Sequence, residues 1–378
     1  MVIPFLRPSP PRLTELSLEL AVIEESGVFS NYGPVNTRFE KLLTERLFGG
    51  FGDCVTVCNA TIGLMLAIRE AAGEPPPGER RYALMPSFTF AATAHAAIWA
   101  GFTPLLCDID PDTWLPSVES EEELLRAYHG QVAVVVPYAT FGNNLDTVRY
   151  AQLSREHGVP VVVDAAASLG SLDWQGRGFG TAAEHAIVFS MHTTKTFATA
   201  EAGVIYCGDA ERVARLRRMG NFGFGVPRTA TMPGLNSKLS EIGALLAMAK
   251  LEHFPEIVEH RAALAAAYRA RLPELSVQRR VGERLAYQFM PMLLPEHLAP
   301  RQAEIVERLG AHGIGVARYF SPHLHDQPYF RERCVAGDLS TTERISHRTL
   351  SLPMSDTMTE VEVETVCAAM RQTLKEVA

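Results

Sequence analysis

Lys195 stands in a loop whose composition suits chemistry on an amine. It follows the apolar run ending at Ser190 by five residues, in FSMHTTKTFATAEAG, among threonines and beside His192. No acidic residue occurs between Ala186 and Ala200. A lysine that is partly deprotonated can attack an aldehyde and form an imine. The hydroxyls and the imidazole suit a phosphate and a proton-transfer site. A lone lysine in such a loop is ordinarily just solvated, so its companions decide the reading.

Three companions point the same way. In VPVVVDAAASLG the apolar run Val159–Val163 ends on Asp164. A buried strand ending there places a carboxylate at the carboxyl edge of a sheet, where it must meet a cation or a donor. A protonated pyridine nitrogen would serve, and the pairing would make the ring an electron sink. A metal, a helix cap or a structural salt bridge would satisfy the carboxylate equally. In VTVCNATIGLMLAI a strand ends at Cys58, Asn59, Ala60 and Thr61 turn, and an apolar helix starts. Free amides at such an N-terminus bind phosphate, or Asn59 and Thr61 act as plain caps. Ser190 can add a hydroxyl to the same phosphate. In ALMPSFTFAATAHAAIWAG, Phe88 and Phe90 follow a strand; either could stack on a flat heteroaromatic ring or sit in the core.

The elements that must position these residues alternate along the chain. Strands are expected at Cys54–Cys58, Tyr82–Pro86, Pro104–Cys107, Val132–Val136, Val161–Val163, Ala186–Ser190 and Gly203–Cys207. Helical patterns lie between them, at Thr61–Ala72, Ala91–Ala100, Glu121–Ala127, Asp146–His157 and Ala210–Arg218. Continuous Val/Ile-rich strands alternating with helices predict a buried, mostly parallel sheet with its ligand at the strands' carboxyl ends. Beyond Glu241 the texture changes: a long helical stretch runs to Arg271, a strand is expected at Leu285–Leu294, and helices at Pro300–His312 and Thr359–Val377. That reads as a smaller α+β domain after a boundary near residue 250.

Composition excludes other classes. The 378 residues carry a formal charge of −8 and a mean hydropathy of +0.03, as a folded water-soluble chain does. No basic tract invites nucleic acid. No apolar run approaches the roughly 18 residues of a membrane span. The N-terminal MVIPFLRPSPPRLTEL has prolines where an export signal needs an apolar core. The six cysteines show neither CxxC nor zinc spacing, so a reduced, cytoplasmic setting without a metal site is expected. GxGxxG between strand and helix, GxxxxGK[ST], GxSxG and HExxH are all missing.

Taken together, the segments resemble the DegT/StrS-type sugar aminotransferases, fold-type I enzymes that depend on pyridoxal 5'-phosphate (PLP). The likeness runs from SNYGPVNTRFEKLLTERLFG through CNATIGLMLAI, PSFTFAATAHAAIWAGFTPLLCDIDPDTW, VVVPYATFGNNLD, VVVDAAASLG, FSMHTTKTFATAEAGVIYC, RRMGNFGFG and GLNSKLSEIGALLAMAKLE to HGIGVARYFSPHLHDQPYF and SLPM. It implies an α/β fold: a PLP-binding large domain over residues 1–250, with a mostly parallel seven-stranded sheet, and a small C-terminal α+β domain over 251–378. It implies that Lys195 binds PLP covalently and shuttles the proton. Asp164 would pair with the pyridine nitrogen, Ala60, Thr61 and Ser190 would hold the phosphate, and Phe90 would stack on the ring. Asn236 would reach the phosphate of the neighbouring subunit in a homodimer. L-glutamate would be the amino donor and a nucleotide-linked keto sugar the acceptor. SNYGP, GNFGFG and the Asn-x-Lys pattern look most like the subgroup acting at C-4 of dTDP-4-keto-6-deoxy-glucose. Tyr319, His323 and His325 are candidates for substrate contact.

The chain departs from the common pattern at Ala167, where Gln or His is usual, at Ala139 in place of a histidine, at Ala200 and Ala202 in place of glycines, and at Lys238 in place of arginine. Two other readings follow: a PLP-dependent sugar dehydratase, whose relatives carry His in place of the lysine, and a PLP-binding regulatory homologue without turnover.

Overall fold

The computed structural model describes residues 2–79 and 81–377; Met1, Arg80 and Ala378 lie outside them. Seven strands appear where the apolar runs predict them: β1 (Asp53–Val57), β2 (Tyr82–Pro86), β3 (Thr103–Cys107), β4 (Val132–Val135), β5 (Val162–Asp164), β6 (Ala186–Ser190) and β7 (Gly203–Cys207). Four further strands follow: β8 (Ser276–Val277), β9 (Met290–Leu293), β10 (Val335–Ala336) and β11 (Thr349–Leu352).

The main sheet is two four-stranded ladders rather than one unbroken seven-stranded one. They run β1-β7-β6-β5 and β10-β3-β2-β4. The edges of β4 and β5 meet through two isolated parallel bridges, Val135–Val161 and Tyr138–Asp164. At this seam the Asp164 amide donates to the Pro137 carbonyl (2.9 Å), and the Ala139 amide donates to the Asp164 carbonyl (2.8 Å). Only β7 runs against its neighbours β1 and β6; the pairs β5–β6, β2–β3, β2–β4 and β3–β10 are parallel. Every residue of β2, β5, β6 and β7 is buried, as helices on both faces of a sheet require.

The helices explain themselves locally. Asn59 caps Ala60–Ala72 by accepting from the Ile62 amide at 3.0 Å. Gly63 lets that helix lie close on the sheet, since a Cβ there would meet Val188 and Val57 at 3.0 and 3.1 Å. The buried Glu241 carboxylate accepts from Val35 (2.8 Å) and Asn36 (3.0 Å), two free amides at the positive end of Pro34–Phe48. The long helical stretch to Arg271 breaks at His253 into Glu241–Glu252 and Phe254–Arg271, where Pro255 can only open a new helix. The strand expected at Leu285–Leu294 is confined to Met290–Leu293. Its first residues bond elsewhere: the Leu172 amide donates to Arg284, and the Ala286 amide donates to the Ser171 hydroxyl.

A second sheet, β11-β9-β8, has its own apolar cluster, including Leu264, Tyr268, Met292, Leu350 and Val366, together with Ile3 from the other end of the chain. No helix among the described residues is long and apolar enough to cross a membrane.

Candidate active site

Lys195 and Asp164 open onto one cavity of about 510 Å³ at the carboxyl ends of β5 and β6. Asp164 is 2% exposed. One of its oxygens accepts from the Thr93 hydroxyl at 2.6 Å and the other from the Ala166 amide at 3.1 Å. Burial pushes its pKa up, opposed by those two bonds and by the charge of Lys195. Lys195 retains some exposed surface toward the cavity. Burial brings its pKa down to about 8 from 10.5, with Asp164 pulling the other way. At pH 7 about a tenth of such amines are neutral, against about one in three thousand for an ordinary lysine.

Ala60, Thr61, Ser190 and Phe90 line the same cavity. Asn59 occupies the Ile62 amide, which leaves those of Ala60 and Thr61 in the unbonded first turn, at the positive end of the helix. Gly203 lies directly beneath this turn: a Cβ there would come within 2.7 Å of the Ala60 nitrogen. The hydroxyl of Ser190 accepts from the His192 amide at 3.3 Å. Phe90, at the start of Ala91–Trp99, keeps 55% of its surface exposed and offers a free ring face. The other aromatic, Phe88, is fully buried against Trp114, Phe141 and Phe320.

The structure divides the three residues singled out for substrate contact. Tyr319 lines the cavity, with its ring stacked on Phe289 at 5.3 Å. His323 does not. It is fully buried, 2.8 Å from the Ser87 hydroxyl through Nδ1 and 3.2 Å from Asp326 through Nε2, and burial lowers its pKa. His325 is half-buried outside the cavity lining, its amide donating to Ser87 at 3.2 Å. The His323 ring is thus engaged within the turn rather than in the cavity. Asn236 is exposed, paired with Asn221 through an isolated antiparallel bridge, and is not part of its own chain's cavity.

Several cavity residues carry no signal of their own in the sequence. Gln288 accepts a 3.1 Å hydrogen bond from Lys195. Tyr138, Phe141 and Phe289 form an aromatic wall. Glu201 stands 3.4 Å from Nε2 of His192, whose Nδ1 is 2.8 Å from the Thr194 hydroxyl. Of the unusual alanines, Ala139 and Ala202 are fully buried, Ala167 is 5% exposed and Ala200 is exposed. Lys238 donates to Asn221 (3.0 Å) and lies over the Phe222 ring.

The arrangement can therefore hold a flat anionic ring: free amides and hydroxyls, a buried carboxylate, a low-pKa amine and an exposed aromatic face line one cavity. The family model for DegT/DnrJ/EryC1/StrS aminotransferases matches residues 14–371. The chain belongs to this family. A crystal structure from Bacillus cereus ATCC 10987, proposed to be a PLP-dependent aminotransferase, is 37% identical, covers 98% of this chain and 100% of its own, and superposes with a TM-score of 0.92. DesI, solved in the presence of its TDP-sugar product, is 31% identical over 98% of this chain and 92% of its own, with a TM-score of 0.87. The dTDP-4-amino-4,6-dideoxy-D-glucose transaminase of Shigella dysenteriae is 27% identical over 97% of both chains. Such enzymes are fold-type I aminotransferases, and the fold described above is theirs.

Proposed function

We propose that this aminotransferase uses PLP and L-glutamate to aminate a nucleotide-linked keto sugar, dTDP-4-keto-6-deoxy-glucose being the first to test. One observation carries the reading: Lys195, Asp164 and the first turn of Ala60–Ala72 converge on a single cavity. DesI and the Shigella transaminase support the choice of a TDP-linked 4-keto sugar.

The cofactor, when bound, supplies an electron sink for the carbon that loses its proton. Everything else falls to the chain. Ala60, Thr61 and Ser190 hold the phosphate. Asp164, itself held by Thr93 and the Ala166 amide, keeps the ring nitrogen protonated, and Phe90 fixes the ring plane. Lys195 would hold the cofactor through its side-chain amine. It then takes the proton from the donor carbon and returns one to the sugar carbon as general base and acid. Burial, which lowers the pKa of the amine, favours the neutral form that a base needs. Tyr319 and the wall of Phe289 and Phe141 shape the sugar side. Asn236 reaches the cavity of a second copy, so that the working unit is a homodimer.

The test is to incubate the protein with PLP, L-glutamate and a panel of keto-sugar nucleotides and to weigh the products. An amino sugar from the TDP-linked 4-keto-6-deoxy substrate is expected. A cofactor absorbance that glutamate never changes, with no amino sugar from any member of the panel, refutes the reading.

A further inference from the structure

We propose that Gln288 is a positioning residue for Lys195: its side-chain oxygen docks the free amine whenever the lysine is released, and a buried Arg261–Asp356–Lys250 clamp holds Gln288 in place. The inference rests on Lys195 being the reacting amine.

Among the described residues Gln288 is the only hydrogen-bond acceptor of the Lys195 amine, at 3.1 Å. Gln288 itself is 7% exposed. Its segment runs beside the lysine loop, since the hydroxyl of Thr196, the residue after Lys195, donates to the Ala286 carbonyl at 3.3 Å. The Arg261 guanidinium donates to the carbonyls of Tyr287 (3.0 Å) and Gln288 (3.1 Å). Arg261 is tied to Asp356 at 2.7 Å, and Asp356 to Lys250 at 2.6 Å. A largely buried ion triad thus ends on the backbone of the residue that accepts from the amine.

The chemistry of the acceptor matters. A lysine stem is flexible, and an amine that must leave and return needs a fixed resting place within reach of the reacting carbon. An amide oxygen is neutral at every working pH and cannot take the proton itself. A carboxylate in the same place would hold the ammonium form and silence the base. The other charged or titratable groups around Lys195 are Asp164 from β5, His192 and Glu201 of its own loop, Tyr138, Tyr319, and Arg261 and Arg7 behind it. Gln288 is the uncharged amide in contact with the amine; Asn59, the other in the cavity lining, caps its own helix.

The experiment measures acetylation of Lys195 by acetic anhydride across pH, read by mass spectrometry, on the full chain freed of cofactor. Parent, Gln288→Glu and Gln288→Leu are compared, with folding followed by circular dichroism. Gln288→Glu is expected to raise the labelling midpoint by about one to three pH units, because a carboxylate favours the ammonium. Gln288→Leu is expected to lower it, because the ammonium loses its acceptor. Should the Glu variant not fold, Gln288→Asn, one methylene too short to reach, is expected to move the midpoint as Leu does. Coincident midpoints in parent and folded variants overturn the proposal. Failure of the functional reading would show separately, as absence of an amino-sugar product from the parent, and would not alter the labelling comparison.

Discussion

Replacing Asp356 by alanine tests the clamp directly. Its carboxylate takes three short contacts: Lys250 Nζ at 2.6 Å on one oxygen, and two guanidinium nitrogens of Arg261 at 2.7 and 2.6 Å on the other. The three side chains are 7%, 4% and 6% exposed, in the order Asp356, Lys250, Arg261. Truncation leaves two cations in a place where burial already lowers the pKa of each. Breaking a buried pair in this way costs about 3–5 kcal/mol. Lys250 can escape part of that by losing its proton, retaining the Ser9 carbonyl at 3.1 Å; Arg261 cannot.

The sign of the pH dependence follows. A lysine with a folded pKa below its unfolded one binds fewer protons when folded, so stability rises with pH between the two values. Its penalty is complete below the folded pKa and gone above the unfolded one. In Asp356→Ala the folded value drops further, so the rise should begin at lower pH than in the parent. The assay is urea unfolding of both proteins at several pH values. The double variant Lys250→Met/Asp356→Ala should lose less than the sum of the single changes. A loss below about 1 kcal/mol for Asp356→Ala, the range of an exposed pair, would refute this account of the clamp.

Three further outcomes follow from the site. Lys195→Ala should abolish turnover and the absorbance band of covalently held cofactor while leaving the circular dichroism spectrum unchanged; turnover at the parent rate would remove Lys195 from the mechanism. Asp164→Asn should lower the rate on the order of 10²- to 10³-fold, as loss of one preorganised electrostatic group does, with cofactor still bound; a rate close to that of the parent would count against its pairing with the ring nitrogen. Gly203→Ala would push a methyl to 2.7 Å from the Ala60 nitrogen. Equilibrium titration should show weaker cofactor binding in that folded variant, and unchanged affinity would mean the turn has room to move.

Much of this was legible in the chain itself because parallel strands buried on both faces write themselves as unbroken Val/Ile runs. A polar residue at the end of such a run, like Asp164 or Ser190, marks the edge where ligands bind. The Asn59 cap could be read for the same reason, its geometry being local. Gln288 could not. It lies in the apolar stretch AYQFM and meets Lys195 across 93 residues of chain. His323 shows the opposite case. An imidazole in a turn reads as reactive, whereas packing turned His323 inward onto Ser87 and Asp326. The short strand β10, which joins β3 from the C-terminal part of the chain, has too few residues to leave a pattern. The break at His253 was concealed by helical periodicity on both sides of it, although Pro255 was the clue.

The join between the two ladders gives the Asp164 carboxylate an unusual address. Asp164 is at once the last rung of one half-sheet and, through Pro137 and Ala139, a stitch to the other. Any change that lets the halves slide past each other would therefore misdirect the acid before it unfolded either half. Hydrogen exchange at the Asp164 and Ala139 amides would register that slippage as an early warning of lost activity.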